Sequence, residues 1–149
     1  MFSVERRHDP SAVERVLRAL PDWFGVEAAI VSYAANEADF ESYLAVDDGH
    51  VVGVALVRRH FPESAELHLI AVDPGDHNRG LGRALVREIE LDLVKTGAQL
   101  LEVHTVGPSH EDVFYARTRG FYRHLGFVPL QEFDRIDWAG PTLVLVKPL

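Results

Sequence analysis

Hydrophobic positions change period several times along the 149 residues, and each change marks an element. Residues 2–6 alternate and predict a strand. Pro10-Ser11 opens a helix to about residue 20, with Val13, Val16, Leu17 and Leu20 on one face. Pro21 and Gly25 break the chain before a second helix over about 26–36. Residues 40–46 predict a strand, Asp47-Asp48-Gly49 a hairpin turn, and 51–59 and 65–72 two more members of the same meander. After Asp73-Pro74-Gly75-Asp76 comes a helix over about 80–95, whose Leu81, Leu85, Ile89 and Leu93 recur every fourth residue until Gly97 ends it. Residues 100–105 predict a strand and Gly107-Pro108-Ser109 a polar loop. Phe114, Thr118, Phe121 and Leu125 share one helix face that stops at Gly126, and 127–133 and 142–146 are the last strands. The order β-α-α-β-β-β-α-β-α-β-β predicts a single-domain α/β fold, residues 1–149, with a mixed sheet of about seven strands and flanking helices.

Composition narrows the chemistry. With 47% apolar and 26% charged residues the chain has ordinary globular make-up. It has no cysteine, which excludes disulfides, thiolate metal sites and a cysteine nucleophile. The charged start lacks the apolar stretch of a secretory leader. The longest nearly apolar run, 51–57, falls well short of the ~20 residues a membrane span needs. The expectation is a cytoplasmic protein with no membrane partner. Net charge is −8, which disfavours nucleic acid as a partner. Residues 1–48 hold ten acids against four bases, a net −6. That stretch reads either as a solvated acidic surface or as a field that attracts a cationic small molecule.

The most informative stretch is Leu69-Ile70-Ala71-Val72-Asp73-Pro74-Gly75-Asp76-His77-Asn78-Arg79-Gly80-Leu81-Gly82. A strand, a glycine-bearing turn and a helix start present free backbone N–H groups and the positive end of a helix dipole, which suits an anion. Gly80 and Gly82 let a ligand approach the backbone closely. A Walker loop is rejected because Leu81 follows Gly80 where Lys is required. A dinucleotide fingerprint is rejected because its third glycine position is Leu85 and a β-meander precedes the turn. The plain alternative is a strand–helix turn without a ligand.

At this turn the chain resembles the GNAT superfamily of N-acetyltransferases. The family pattern Arg/Gln-x-x-Gly-x-Gly/Ala, shortly after Val-x-Pro, is similar to Val72-Asp73-Pro74 followed by His77-Asn78-Arg79-Gly80-Leu81-Gly82, with His77 in place of Arg or Gln. Downstream, Phe121-Tyr122-Arg123-His124-Leu125-Gly126-Phe127 resembles the family's Tyr-x-x-x-Gly-Phe segment. Tyr115 and Thr118 stand where the family often has Asn and Ala. The resemblance covers about residues 2–148 and implies acetyl-CoA as acyl donor. It also implies that the amides of Asn78, Arg79, Gly80, Leu81, Gly82 and Arg83 hold its pyrophosphate, with further coenzyme-side contacts from Ile70, Ala71, Val72, His77 and Tyr115. A bulge in the strand before the turn would supply an oxyanion N–H. Dimerisation is common in the family, so a homodimer is a further expectation, although no apolar stripe here specifies one.

The chemistry can be set against the residues. An alkyl ammonium has a pKa of about 10, so most amine acceptors arrive protonated and need a base. Glu66 and His68 alternate on the strand before the turn and so point to one face. Glu66 resembles the glutamate base of the histone-modifying branch. Glu66 and His68 together occupy positions similar to the histidine pair of the serotonin-acetylating branch, where only His68 keeps the residue type. Each also reads as a structural strand residue. The resemblance gives Tyr122 the task of protonating the leaving thiolate; its other reading is a packed helix aromatic. With no cysteine, a thiol-linked acyl-enzyme is excluded and direct transfer is favoured.

His104, His110, Glu111 and Asp112 match no metal-ligand spacing, and no metal is expected. Ser109-His110 has no nucleophile elbow around it. Arg117, Arg119 and Arg123 form a basic cluster that serves either coenzyme phosphates or solvent. Trp23 and Trp138 read as core or acceptor-wall residues. The expected activity is acetyl transfer from acetyl-CoA to a primary amine of a small acceptor. The rivals are a catalytically silent acyl-CoA-binding sensor and a protein-modifying acetyltransferase. The resemblance implies an acceptor site built largely over about residues 10–40, where no motif names a substrate.

Overall fold

A computed structural model describes residues 1–149. The elements are β1 (Phe2–Arg6), α1 (Pro10–Arg18), α2 (Glu27–Ala35), β2 (Glu41–Asp47), β3 (His50–Phe61), β4 (Ser64–Val72), α3 (Leu81–Lys95), β5 (Leu100–Val106), α4 (Val113–His124), β6 (Val128–Phe133) and β7 (Thr142–Pro148). This is the order read from the periodicity. Of two short 3₁₀ turns, Pro74–Asp76 falls in the turn expected at residues 73–76, while Glu37–Asp39 was not foreseen, since a single turn carries no periodicity of its own. The strands form one seven-stranded sheet in the order β1-β2-β3-β4-β5-β7-β6.

By contact density the chain divides into two compact units. The first is Met1–Arg58 with His68–Asp92, the second Arg59–Leu67 with Leu93–Leu149. In the first, β1 pairs antiparallel with β2, and β2 with β3. The β2–β3 hairpin closes through Asp48 and Gly49, both at positive φ (52° and 79°). Two left-handed residues match the twist of the flanking strands, so an Asp-Gly pair here is a strong hairpin signal. Helix α1 starts with Pro10 at its first position, and the Asp9 carboxylate accepts a bond from the Ala12 amide. Its predicted face (Val13, Val16, Leu17, Leu20) is buried together with Leu44, Val54, Leu56, Leu69 and Ala71. Residues 51–57 of β3 are buried on both faces, which is why they read as a continuous apolar run rather than an alternation.

In the second unit β4 runs parallel to β5, with Ser64–Leu67 in register against Leu100–Val103. β5 and β6 each pair antiparallel with β7. Asp112 caps α4 by accepting from the amides of Phe114 and Tyr115. The buried residue of α4 is Tyr122, at 5% exposure, while the predicted stripe of Phe114, Thr118, Phe121 and Leu125 is only half-buried. The predicted α3 stripe, in contrast, is almost fully buried at all four positions. No helix is long and apolar enough to cross a membrane.

Candidate active site

The turn that feeds α3 lies in the first unit and is built by backbone conformation. Asn78 and Gly80 both take left-handed φ, 65° and 79°. The first helical bond of this region runs from the Ala84 amide to the Gly80 carbonyl, at 3.0 Å. The amides of Leu81, Gly82 and Arg83 therefore precede the helical ladder and have no partner within it. These are the groups an anion would use. A Cβ at Gly80 would meet nothing within 4 Å. The glycine is needed there for its φ, not for want of room.

Three side chains hold the turn. His77 donates from Nε2 to the Val72 carbonyl at 2.8 Å, which ties the turn to the end of β4, and its ring meets the edge of Trp23 at 6.0 Å. Arg79 lies 2.9 Å from Asp47 and 2.5 Å from Asp76. Its hydrogen bonds to those carboxylates raise its pKa further, and Arg79 in turn holds Asp47 below the usual carboxylate range. The Asp73 amide donates to the Val52 carbonyl at 2.8 Å. Burial raises the Asp73 carboxyl, against the pull of Arg15 at 3.5 Å. The side chains of His77 and Arg79 are thus committed to shaping the loop, and the backbone amides are what it offers to a ligand.

Also in the first unit, His68 stacks on Phe40 (4.6 Å between centroids, 15° between planes) and takes the edge of Tyr33 at 5.6 Å. The Arg58 guanidinium sits 4.5 Å from the Phe40 ring centroid. His68 is therefore a member of an aromatic group that reaches through Tyr33 to Phe24. Five of the ten acids of residues 1–48 meet one of three arginines nearby. Arg7 meets Glu5 and Asp9, Arg18 meets Glu14 and Glu27, and Arg6 meets Glu41. Glu37 is 1% exposed and accepts from the Asp9 amide and the Ser42 hydroxyl.

The second unit holds Tyr122, Tyr115 and Glu66. Tyr122 packs between Phe121 at 5.4 Å and Phe127 at 5.6 Å. The Tyr122 carbonyl accepts from the Phe127 amide, so the Gly126 turn closes directly on this residue. Tyr115 lies half-buried in the first turn of α4. Glu66 is 9% exposed, and its Oε1 lies 2.8 Å from His60 Nε2. The same His60 nitrogen is 4.0 Å from Glu102, the residue in register with Glu66 on β5. Glu102 in turn lies 3.0 Å from His104 Nε2, and His104 Nδ1 lies 2.8 Å from Asp137. Burial pulls the His104 pKa down, but the hydrogen bond to Asp137 and the charges of Asp137, Glu66 and Glu102 outweigh it, and the net shift is upward. His60, Glu66 and Glu102 bring one donor atom each within 4.8 Å of one another.

Sequence reasoning missed His60, Glu102 and Asp137 and set His104 aside as an unmatched metal candidate. A signal existed: β4 carries Glu66-Leu67-His68 and β5 carries Glu102-Val103-His104. The same Glu-x-His triplet on two strands gains meaning only once those strands are known to be neighbours. Among the other candidates, Arg119 donates to the Val106 carbonyl at 2.8 Å and so ties α4 to β5. Trp138 is 40% exposed and packs on His110 at 5.3 Å. Trp23 is a partly buried neighbour of the first unit's core.

Residues 38–129 match the acetyltransferase (GNAT) domain family. This chain belongs to the GNAT acetyltransferases. The mycothiol acetyltransferase of Beutenbergia cavernae is 35% identical over 91 residues, 59% of this chain and 28% of that protein. The N-alpha-acetyltransferase RimI of Mycobacterium tuberculosis is 43% identical over 53 residues, 36% of this chain and 33% of that protein. The matched segment spans a third or less of either relative. A solved structure from Desulfovibrio desulfuricans, assigned to the GNAT family, superposes with a TM-score of 0.84 at 25% identity and covers 99% of both chains. The matched region of this GNAT chain takes in β2 through α4, hence both the turn and Tyr122.

Proposed function

We propose that this protein moves an acetyl group from acetyl-CoA to a primary amine of a small acceptor by direct transfer. The observation that carries the reading is the turn at residues 77–83. Left-handed Asn78 and Gly80 lead into a helix whose first amides have no intrahelical partner, and the side chains of His77 and Arg79 are occupied elsewhere. Such a cradle suits a pyrophosphate. Acetyl-CoA would supply a thioester carbonyl and a thiol leaving group.

The chain's own residues have separable tasks in this reading. The amides of residues 78–83 bind the diphosphate, and backbone of Ile70, Ala71 and Val72 orients the acyl arm and gives the reacting carbonyl an N–H. Tyr115 adds a contact from the first turn of α4. Glu66 takes a proton from the incoming ammonium, and the Tyr122 hydroxyl gives one to the departing sulfur. His68, held in its aromatic stack, is the second candidate base of the same strand. The local similarity to RimI favours a second reading in which the acceptor is an Nα-amine of a polypeptide. The expected location is cytoplasmic and the expected partner a small molecule, with a homodimer as a further expectation.

The test is a thermal-shift panel followed by an amine and peptide screen read by free CoA. A ligand at a hundredfold its Kd adds about 2.7 kcal/mol, and each kcal/mol moves Tm by about 2–4 °C at this chain length. CoA and acetyl-CoA should therefore raise Tm by roughly 5–10 °C where NAD does not. An unmoved Tm at saturating CoA overturns the reading. A clear shift with no acceptor turned over would indicate the silent acyl-CoA sensor instead.

A further inference from the structure

From the side chains around Glu66 we infer that His60 is the positioning residue that unloads the base, receiving the proton from Glu66 and passing it to solvent with Glu102 as its counter-charge. This rests on Glu66 being the base of the proposed reaction.

The need comes from proton balance. An ammonium acceptor plus acetyl-CoA gives an amide, a free thiol and one proton left over. One N–H bond breaks as a Glu66 O–H bond forms; a second proton balances the thiolate. A base that is 9% exposed must discharge its proton before each new turnover. The geometry offers His60 Nε2 as an outlet, at 2.8 Å from Glu66 Oε1. The Glu66 O–H breaks as the Nε2–H forms, the resulting imidazolium loses its Nδ1 proton to water, and exchange of the ring's N–H protons with water restores the tautomer whose Nε2 accepts in the next turnover. The ring is placed for that second step, because its side chain is 37% exposed against 11% for Glu66.

Acidic side chains from two strands stand beside the ring. β4 contributes Glu66 and β5 contributes Glu102, adjacent in register, so two carboxylates flank one ring. His104 faces the same group from β5, with its outer nitrogen tied to Asp137 in the segment before β7. β7 presents Val146 opposite Glu102 and Val144 opposite His104, and adds no charge at those positions. The ordered row Glu66–His60–Glu102–His104–Asp137 alternates acid and imidazole from a buried carboxylate to one that is 55% exposed. The proton leaves from His60 to water, and Glu102, at an ion-pair distance of 4.0 Å, serves the ring as counter-charge.

The test compares two nucleophiles that differ in their need for a base. An alkylamine acceptor from the screen arrives as ammonium, whereas hydroxylamine is already neutral at pH 7. His60→Gln should slow acetyl transfer to the alkylamine by at least roughly tenfold, at the low end of what general acid–base help supplies. It should slow transfer to hydroxylamine far less and leave KM for acetyl-CoA unchanged. In His60→Ala, added imidazole should restore part of the alkylamine rate. Glu102→Gln should give a smaller defect of the same selectivity. Equal slowing with both nucleophiles, or no slowing, overturns the role of His60. Glu66→Gln run in parallel separates the two ideas. If it is slow while His60→Gln is normal, only the outlet fails. If Glu66→Gln is itself normal, the base assignment fails and the outlet with it.

Discussion

His77 Nε2 lies 2.8 Å from the carbonyl oxygen of Val72 and folds the turn back onto the strand that feeds it. An Arg or Gln is the usual residue here in the resembled pattern, and the imidazole answers with a backbone clamp. One such bond is worth about 0.5–1.5 kcal/mol. His77→Ala should therefore weaken CoA binding by up to about tenfold by titration calorimetry. His77→Gln, whose amide can donate to the same carbonyl, should keep most of it. An Ala variant that binds CoA as tightly as the parent would remove the clamp from the account.

Gly80 tests the backbone cradle separately. Its φ is +79° and a Cβ would meet no atom within 4 Å. Gly80→Ala should thus cost about 1–2 kcal/mol through conformation alone. Gly80→Asn should cost less, since Asn tolerates the left-handed region. Urea unfolding checks both, and equal losses would point to a hidden steric cause.

Tyr122→Phe removes only a hydroxyl from a ring already packed by Phe121 and Phe127. The melting temperature and acetyl-CoA binding should hold. The loss should fall on kcat, by at least about tenfold where general-acid help is typically about 10²–10⁴. An unchanged kcat would assign thiolate protonation to another group.

His104 gives a pH signature. Its folded pKa is raised above the ordinary 6.5 by Asp137 and the nearby acids, against the opposing effect of burial. A raised histidine contributes stability that is fully present below its unfolded pKa and is lost as pH rises through the folded value. Asp137→Asn should therefore destabilise more below about pH 6 than above about pH 8. A difference that is flat with pH, or of opposite slope, would contradict the pairing.

Much of this was legible from sequence. Element order, the α1 and α3 stripes, the Asp48-Gly49 hairpin and the His77–Gly82 turn are local matters. They follow from periodicity and φ preferences, which act over a few neighbouring residues. The α4 face was read less well. The half-buried stripe Phe114, Thr118, Phe121, Leu125 is as regular as a core stripe, while the residue α4 actually buries is Tyr122. Periodicity ranks faces by composition and carries no record of what a helix packs on.

The sequence by itself determined the α/β order and the anion-ready turn, and its resemblance to the family gave the candidacy of Glu66, His68 and Tyr122. Tertiary structure alone decided which partners those residues keep. Glu66 and Glu102 are 36 positions apart and become neighbours only because β4 and β5 pair in parallel with Ser64 opposite Leu100. A shift of one residue in that register would turn Glu102 to the other face and leave Glu66 beside an apolar side chain. Strand register is set by the summed burial of both strands and by the α3 crossover between them. No spacing along the chain encodes it, which is why the row from Glu66 to Asp137 is visible only in the fold.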